Sequence, residues 1–226
     1  TRLTKVTGVQ TCALPIFTWA PNFAYGLLLE HRDRIEKIPM DLSCVRIILN
    51  GGEAINFNAC NDFLVMMGEK GLPYSSMWPS WGMTETSSGV LVSKKFGQIL
   101  HKNSVAVGEV ITGDTIRVVD GEGNPVPVGE EGDLQICGQT VNMGYYLLPD
   151  ENARSFTKDG WFVTGDRAMI RDNEIIITGR NKEIMIINGV NVSCIEVEKN
   201  IEELEEIQTG TVGNEEIGRA SCRERV

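Results

Sequence analysis

Two textures of apolar and polar positions divide the chain. From Tyr25 to about Ile38, leucines and isoleucine recur at near-helical spacing, which predicts a helix that Pro39 ends. Val45–Asn50 (VRIILN) is a continuous apolar run stopped by Gly-Gly-Glu, the pattern of a strand buried on both faces that ends at a ligand crevice. Phe57, Cys60, Phe63, Leu64 and Met67 then mark one face of an amphipathic helix closed by Gly68 or Gly71. A second short strand, YSSMW, is expected after Pro73, running into PSWGMTETSSG. Strand, helix and strand make an α/β unit whose two loops fall at the same sheet edge.

From Val105 to about Tyr146 the pattern changes to strands with frequent turns. TIRVVD and DLQICG flank DGEGNPVPVGEEG, a stretch dense in turn-forming residues, so a small β-barrel or distorted sheet is expected. WFVTGD, a hairpin through RDNE into IIITGR, and KEIMIING continue the strands. After Gly189 the period is helical again, with Ile195, Val197, Ile201, Leu204 and Ile207 on one face.

Composition narrows the function. The chain has 226 residues and a formal charge of −10, which argues against a nucleic-acid binder. No apolar run approaches the roughly 20 residues of a membrane-spanning helix and no secretory signal is present, so a soluble cytoplasmic protein is expected. The six cysteines form no CxxC pair and there are only two histidines, which disfavours a zinc site or a disulfide framework. Val6–Ile16 and Ile217–Val226 resemble translations of short-read library adapters, and their back-translations share a reverse-complementary core. Residues 1–16 and 217–226 are therefore expected to be processing scars around a natural window cut from a longer protein.

Four strings in order, NGGEA (Asn50–Ala54), WGMTET (Trp81–Thr86), WFVTGD (Trp161–Asp166) and ITGRNKEIMIINGVN (Ile177–Asn191), resemble the adenylate-forming superfamily of acyl-CoA synthetases, peptide-synthetase adenylation domains and luciferases. The resemblance extends over nearly all of Phe17–Ile207. PNFAYGL, DLS, ILNGGEAIN and IINGVN look most like acyl-AMP ligases and the acyl-loading ligase domains of polyketide and nonribosomal peptide synthases. It implies an α/β fold, an incomplete adenylate-forming fold: residues 17–104 the C-terminal part of the α/β region, 105–180 a β-rich subdomain, and 181–216 the hinge and start of a small α+β C-terminal domain.

The resemblance also implies an activity: a carboxylic acid, fatty or polyketide-starter, reacts with ATP to give acyl-AMP, and the acyl group passes to an acyl carrier protein or coenzyme A thiol. Glu85 would hold Mg2+, a hard cation suited to a carboxylate, and Thr84 would give its hydroxyl to the α-phosphate. Gly51, Gly52 and Glu53 would wall the adenine pocket, glycine letting backbone approach the ring, and Trp81, where the family usually has Tyr, would stack on it. Asp166 would take the ribose hydroxyls and Arg180 would donate to the same sugar. Arg167 departs from the apolar residue usual after that Asp. Lys182 matches the hinge and Gly189 the loop that swings to the thiol tunnel, while Asn22, Phe23 and Tyr25 would line the acyl pocket. From the residues alone, the alternatives are a capped turn at Thr84–Glu85, a core Trp81, an ordinary TGD turn, a solvated Lys182, and core roles for Asn22, Phe23 and Tyr25.

In relatives the phosphate-binding loop lies upstream of Phe17 and the adenylation lysine beyond Glu216, so the 226-residue chain is expected to show no ATP–pyrophosphate exchange. Free-standing fatty-acyl-AMP ligases that exclude coenzyme A carry an inserted segment near the connection that is short here, FTKDGWFVTGD, so the resemblance implies a domain able to hand its acyl group to a carrier thiol. Rival readings are an amino-acid-activating domain, an acyl-CoA synthetase, a non-catalytic nucleotide-binding remnant or β-rich binding module, and a serine hydrolase, for which no GxSxG elbow is present.

Overall fold

The computed structural model describes residues 16–181 and, as backbone, 184–187 and 190–193. The described chain opens with β1 (Phe17–Ala20), α1 (Asn22–Glu30) and α2 (Arg32–Glu36), then β2 (Ile47–Asn50), α3 (Phe57–Gly68), β3 (Met77–Gly82) and β4 (Gly89–Val92). The β-rich stretch follows as β5 (Leu100–His101), β6 (Ser104–Val110), β7 (Asp114–Val119), β8 (Glu131–Gly138), α4 (Pro149–Ser155), β9 (Phe162–Arg171) and β10 (Glu174–Arg180). A separate hairpin pairs β11 (Ile184–Ile187) with β12 (Val190–Ser193).

The predicted α/β unit is present. β2, α3 and β3 form a parallel crossover, with Leu49 opposite Trp78 and Asn50 opposite Pro79. Asn56 caps α3 by accepting the Ala59 N–H at 3.2 Å, and Ala59, Cys60, Phe63, Leu64, Met66 and Met67 turn inward. Tyr25 of α1 lies against Phe63, ring centroids 4.8 Å apart, so α1 and α3 share one core.

Three expectations change. β1, parallel to β2 with Trp19 opposite Leu49, was not anticipated, because a mostly exposed four-residue strand carries little pattern of its own. The helix expected over Tyr25–Ile38 is two helices broken at His31, the second ending at Glu36 before Pro39 acts. Tyr74–Ser76 is a 3₁₀ turn closed by Ser76 N–H on the Pro73 carbonyl, so the strand after Pro73 begins at Met77 and carries on through Trp81.

β3 turns back into β4, which pairs with β6, and the order β1-β2-β3-β4-β6-β10-β9-β8-β7 makes one hydrogen-bonded mixed sheet, with β5 on β6. The expected distorted sheet is therefore a continuation of the α/β sheet. Asp120 Oδ1 accepts the N–H groups of Glu122 and Asn124, both at 2.9 Å, closing the turn between β7 and β8. The β9–β10 hairpin turns on Asp172 and Asn173, φ 50° and 63°, a pair of residue types that tolerate the left-handed region. The helix expected over Ile195–Ile207 lies outside the described residues.

Candidate adenylate-forming site

The ends of β2 and β3 and the facing part of β9 and β10 bring together residues of NGGEA, WGMTET, WFVTGD and the Ile177–Arg180 start of the fourth motif, whose later residues run into the separate β11–β12 hairpin or lie outside the described residues. At the end of β2, Gly51 packs directly on β3: a Cβ there would lie 2.6 Å from Ser80 Oγ and 2.7 Å from its carbonyl oxygen. The missing side chain thus serves strand packing, a task beside the expected one of letting backbone approach a ligand. Gly52, at φ 92°, needs the conformational freedom of glycine to turn the chain away. Glu53 is exposed, and one of its oxygens accepts the Phe23 N–H at 2.5 Å in the first turn of α1, where a carboxylate suits the positive helix end.

Trp81 sits next in β3. Its indole Nε1–H donates to Asp166 Oδ2 at 2.8 Å, and Arg180 Nε donates to Asp166 Oδ1 at the same distance. Asp166 and Arg180 face each other across the β9–β10 ladder, which is why residues 14 apart meet. Asp166 is 3 % exposed, so its carboxylate is buried with a donor on each oxygen. Each oxygen keeps a second acceptor site, and a sugar hydroxyl would have to share it. Trp81 therefore has an in-plane task, holding Asp166, in addition to the expected ring face. Arg167, the departure from family pattern, reaches Asp133 on β8 at 3.5 Å, which accommodates a cation at a position expected to be apolar.

The Thr84–Thr86 stretch is a 3₁₀ turn at the tip of the β3–β4 hairpin. Thr86, nearly wholly buried, pins it: its hydroxyl accepts the Met83 N–H at 3.0 Å and donates to the Ser88 carbonyl at 2.8 Å. Thr84 is exposed and Glu85 half-buried. Glu85 Oε1 accepts the Tyr145 hydroxyl at 2.7 Å, and its backbone carbonyl accepts the Asn142 N–H at 2.8 Å. Tyr145 was not singled out from the sequence, since a contact spanning 60 residues leaves no local signal. Burial, and then the bond to Glu85, push the Tyr145 phenol up to about 12.

The expected acyl-pocket residues separate. Tyr25 is core, its phenol pushed up by burial, and Asn22 is buried with its Oδ1 accepting the Asn56 N–H and the Cys60 thiol. Phe23 is half exposed. Lys182 and Gly189 lie outside the described residues.

Residues 3–146 match the family model described as AMP-binding enzyme. The chain belongs to the AMP-binding enzyme family. Members of this adenylate-forming family use ATP and form AMP intermediates. Among curated proteins, it is 37% identical over 195 residues to the nonribosomal peptide synthetase pngA of Aspergillus terreus, covering 82% of this chain and 21% of the relative. It is 34% identical over 194 residues to the aspulvinone E synthetase melA of Aspergillus terreus, again covering 82% and 21%. The chain thus spans about a fifth of the length of these curated relatives. Among solved structures it is similar to McyG A-PCP complexed with phenylalanyl-adenylate, at TM-score 0.77 and 36% identity, covering 88% of this chain and 37% of that one. The adenylation domain of a keto acid-selecting NRPS module bound to keto acyl adenylate follows at TM-score 0.71 and 30% identity, covering 86% and 41%. Fatty acyl-adenylate ligases from E. coli and L. pneumophila, at TM-score 0.73 and 23% identity, share the fold. No helix among the described residues is long and apolar enough to cross a membrane.

Proposed function

We propose that this chain is part of a unit that activates a carboxylic acid with ATP to an acyl-AMP and passes the acyl group to the thiol of a carrier protein. The observation that carries the reading is the buried Asp166 carboxylate held between Trp81 and Arg180, on the same sheet as the Glu85 turn. A fixed carboxylate is preorganised to accept the ribose hydroxyls without moving, and the adjoining Arg180 supplies donors to the same sugar. The Trp81 indole beside it offers a face for the adenine ring, with the β2 end at Gly51–Glu53 next to β3 as a neighbouring wall.

Glu85 fits a magnesium role by its chemistry. Mg2+ is commonly held by one or two carboxylates with substrate phosphates and waters completing the shell, and no cluster of three His, Cys, Asp or Glu exists among the described residues to make a dedicated cage. When bound, the cation would neutralise phosphate charge as the acid attacks the α-phosphate. Thr84, exposed one residue before Glu85, offers its hydroxyl to that phosphate. Lys182 and Gly189 are proposed for the hinge and the thiol-facing loop on the resemblance alone.

For the acid, the relatives at 30% identity or more favour the rival over the fatty or polyketide-starter reading. Two solved proteins with that likeness carry phenylalanyl- and keto acyl-adenylates, whereas the fatty acyl-adenylate ligases share the fold at 23%. We infer an aryl-bearing amino or keto acid. The A-PCP arrangement of the first of these favours a carrier protein over coenzyme A. Acid-dependent ATP–pyrophosphate exchange by the intact protein carrying this chain tests the reading. Exchange with phenylalanine or its keto acid and none with fatty acids is expected; exchange with no carboxylic acid would overturn it.

A further inference from the structure

A second layer of contacts stands behind Glu85. The loop after β8 is bonded to the Thr84–Thr86 turn and to Ser87, the residue that follows it, at three places: Tyr145 hydroxyl to Glu85 Oε1 at 2.7 Å, Asn142 N–H to the Glu85 carbonyl at 2.8 Å, and Ser87 hydroxyl to the Thr140 carbonyl at 2.9 Å. The loop is itself anchored at both ends. Asp114, buried on β7, accepts the Thr140 N–H at 3.1 Å and the Thr140 hydroxyl at 2.5 Å. Asn152 of α4 clamps Tyr145 by its backbone, accepting its N–H at 2.6 Å and donating to its carbonyl at 2.9 Å. A tyrosine fixed this firmly delivers its hydroxyl proton to one carboxylate oxygen, while the Ser155 side chain bonds to the same phenol.

We propose that Tyr145 is a positioning residue for Glu85, holding Oε1 so that the carboxylate presents Oε2 to a divalent cation. This rests on the reading of Glu85 as a magnesium ligand. Partners that orient a metal-ligating carboxylate are commonly worth 10–100-fold in metal affinity, because an unheld carboxylate must be ordered when the ion arrives. The device requires neither proton transfer nor a change of charge.

The test is manganese(II) binding to the 226-residue chain in the presence of AMP, read from the electron paramagnetic resonance of the free ion. Wild type is compared with Tyr145→Phe, Glu85→Gln and the double variant. Glu85→Gln should abolish the tightest site, Tyr145→Phe should weaken it by about 10-fold, and adding Tyr145→Phe to Glu85→Gln should do nothing more. Wild-type affinity in Tyr145→Phe, with loss in Glu85→Gln, overturns the positioning role and leaves the metal reading standing. Loss of equal size from Tyr145→Phe in the Glu85→Gln background also overturns it, because the effect would not run through the carboxylate. Wild-type affinity in Glu85→Gln, or no binding by wild type, removes the metal reading and the inference with it. If Tyr145→Phe lowers the thermal midpoint, Asn152→Ala, which loosens the tyrosine without touching Glu85, decides: a weakened site supports the role and an unchanged one overturns it.

Discussion

The pair Trp81–Asp166 offers the sharpest test of how the site is built. The indole N–H lies 2.8 Å from Oδ2 of a carboxylate that is 3 % exposed, so the bond is charge-assisted and shielded from water. Such bonds contribute about 1.5–3 kcal/mol. The second partner, Arg180, is itself 58% exposed at the side chain and can be hydrated in the unfolded and folded chain alike, so it compensates only weakly for a lost indole. Trp81→Phe should therefore destabilise the chain by about 2 kcal/mol from the hydrogen bond, in addition to a packing loss, because Trp81 also packs against two apolar clusters. A double-mutant cycle with Asp166→Ala separates the two contributions, since packing of the ring persists when the carboxylate is gone. Urea unfolding followed by circular dichroism gives the four free energies. A coupling of about 2 kcal/mol, roughly 30-fold in the folding equilibrium, is expected. A coupling below about 0.5 kcal/mol, the size of ordinary non-additivity, would refute the claim that the indole holds Asp166, and with it the preorganisation argument for the sugar.

Other perturbations read other parts of the fold. Gly51→Ala places a methyl against Ser80 Oγ and backbone, and should destabilise by about 1–3 kcal/mol in urea, as overpacking does. Ser93→Ala removes the 2.8 Å donor to the buried Glu174 carboxylate and should lose about 1.5–3 kcal/mol by the same measurement, with Lys95 left as its partner at 3.1 Å. Burial pushes the Cys60 thiol up to about 12 and raises the Tyr25 phenol. Both groups are protonated in the folded chain at pH values where the unfolded chain has begun to lose the proton. Their stabilising contribution is whole below about pH 9 and falls as pH rises towards 12. The urea midpoint should drop between these limits, and Cys60→Ala or Tyr25→Phe should flatten the drop; a midpoint constant across that range would contradict the burial. At pH 9 a thiol reagent should label Cys60 only after urea unfolds the chain, judged by mass spectrometry of the peptide that contains it.

How much was legible can be judged element by element. Val45–Asn50 and the Phe57–Met67 stripe announce β2 and α3, because a strand buried on both faces and a one-sided helix each impose a period on the sequence. The RDNE hairpin is legible for the same local reason, Asp172 and Asn173 being residues that accept positive φ. Asp166, Arg180, Trp81 and Glu85 were found through motif order, which lists the parts of the site but not their contacts. β1 was hidden because its four residues are mostly exposed and its pairing partner lies 30 residues on.

What the sequence determined by itself is most of the local elements, the α/β crossover and the family, since periodicity, turn chemistry and motif order are properties of neighbouring residues. What only the tertiary structure decided is who touches whom. The Trp81 bond to Asp166 spans 85 residues, the Tyr145 bond to Glu85 spans 60, and the need for glycine at position 51 arises from Ser80 on the next strand. Contacts of that range are fixed by the strand order and register of the whole sheet, a collective outcome of burying many apolar residues at once, and no short stretch of the chain encodes them.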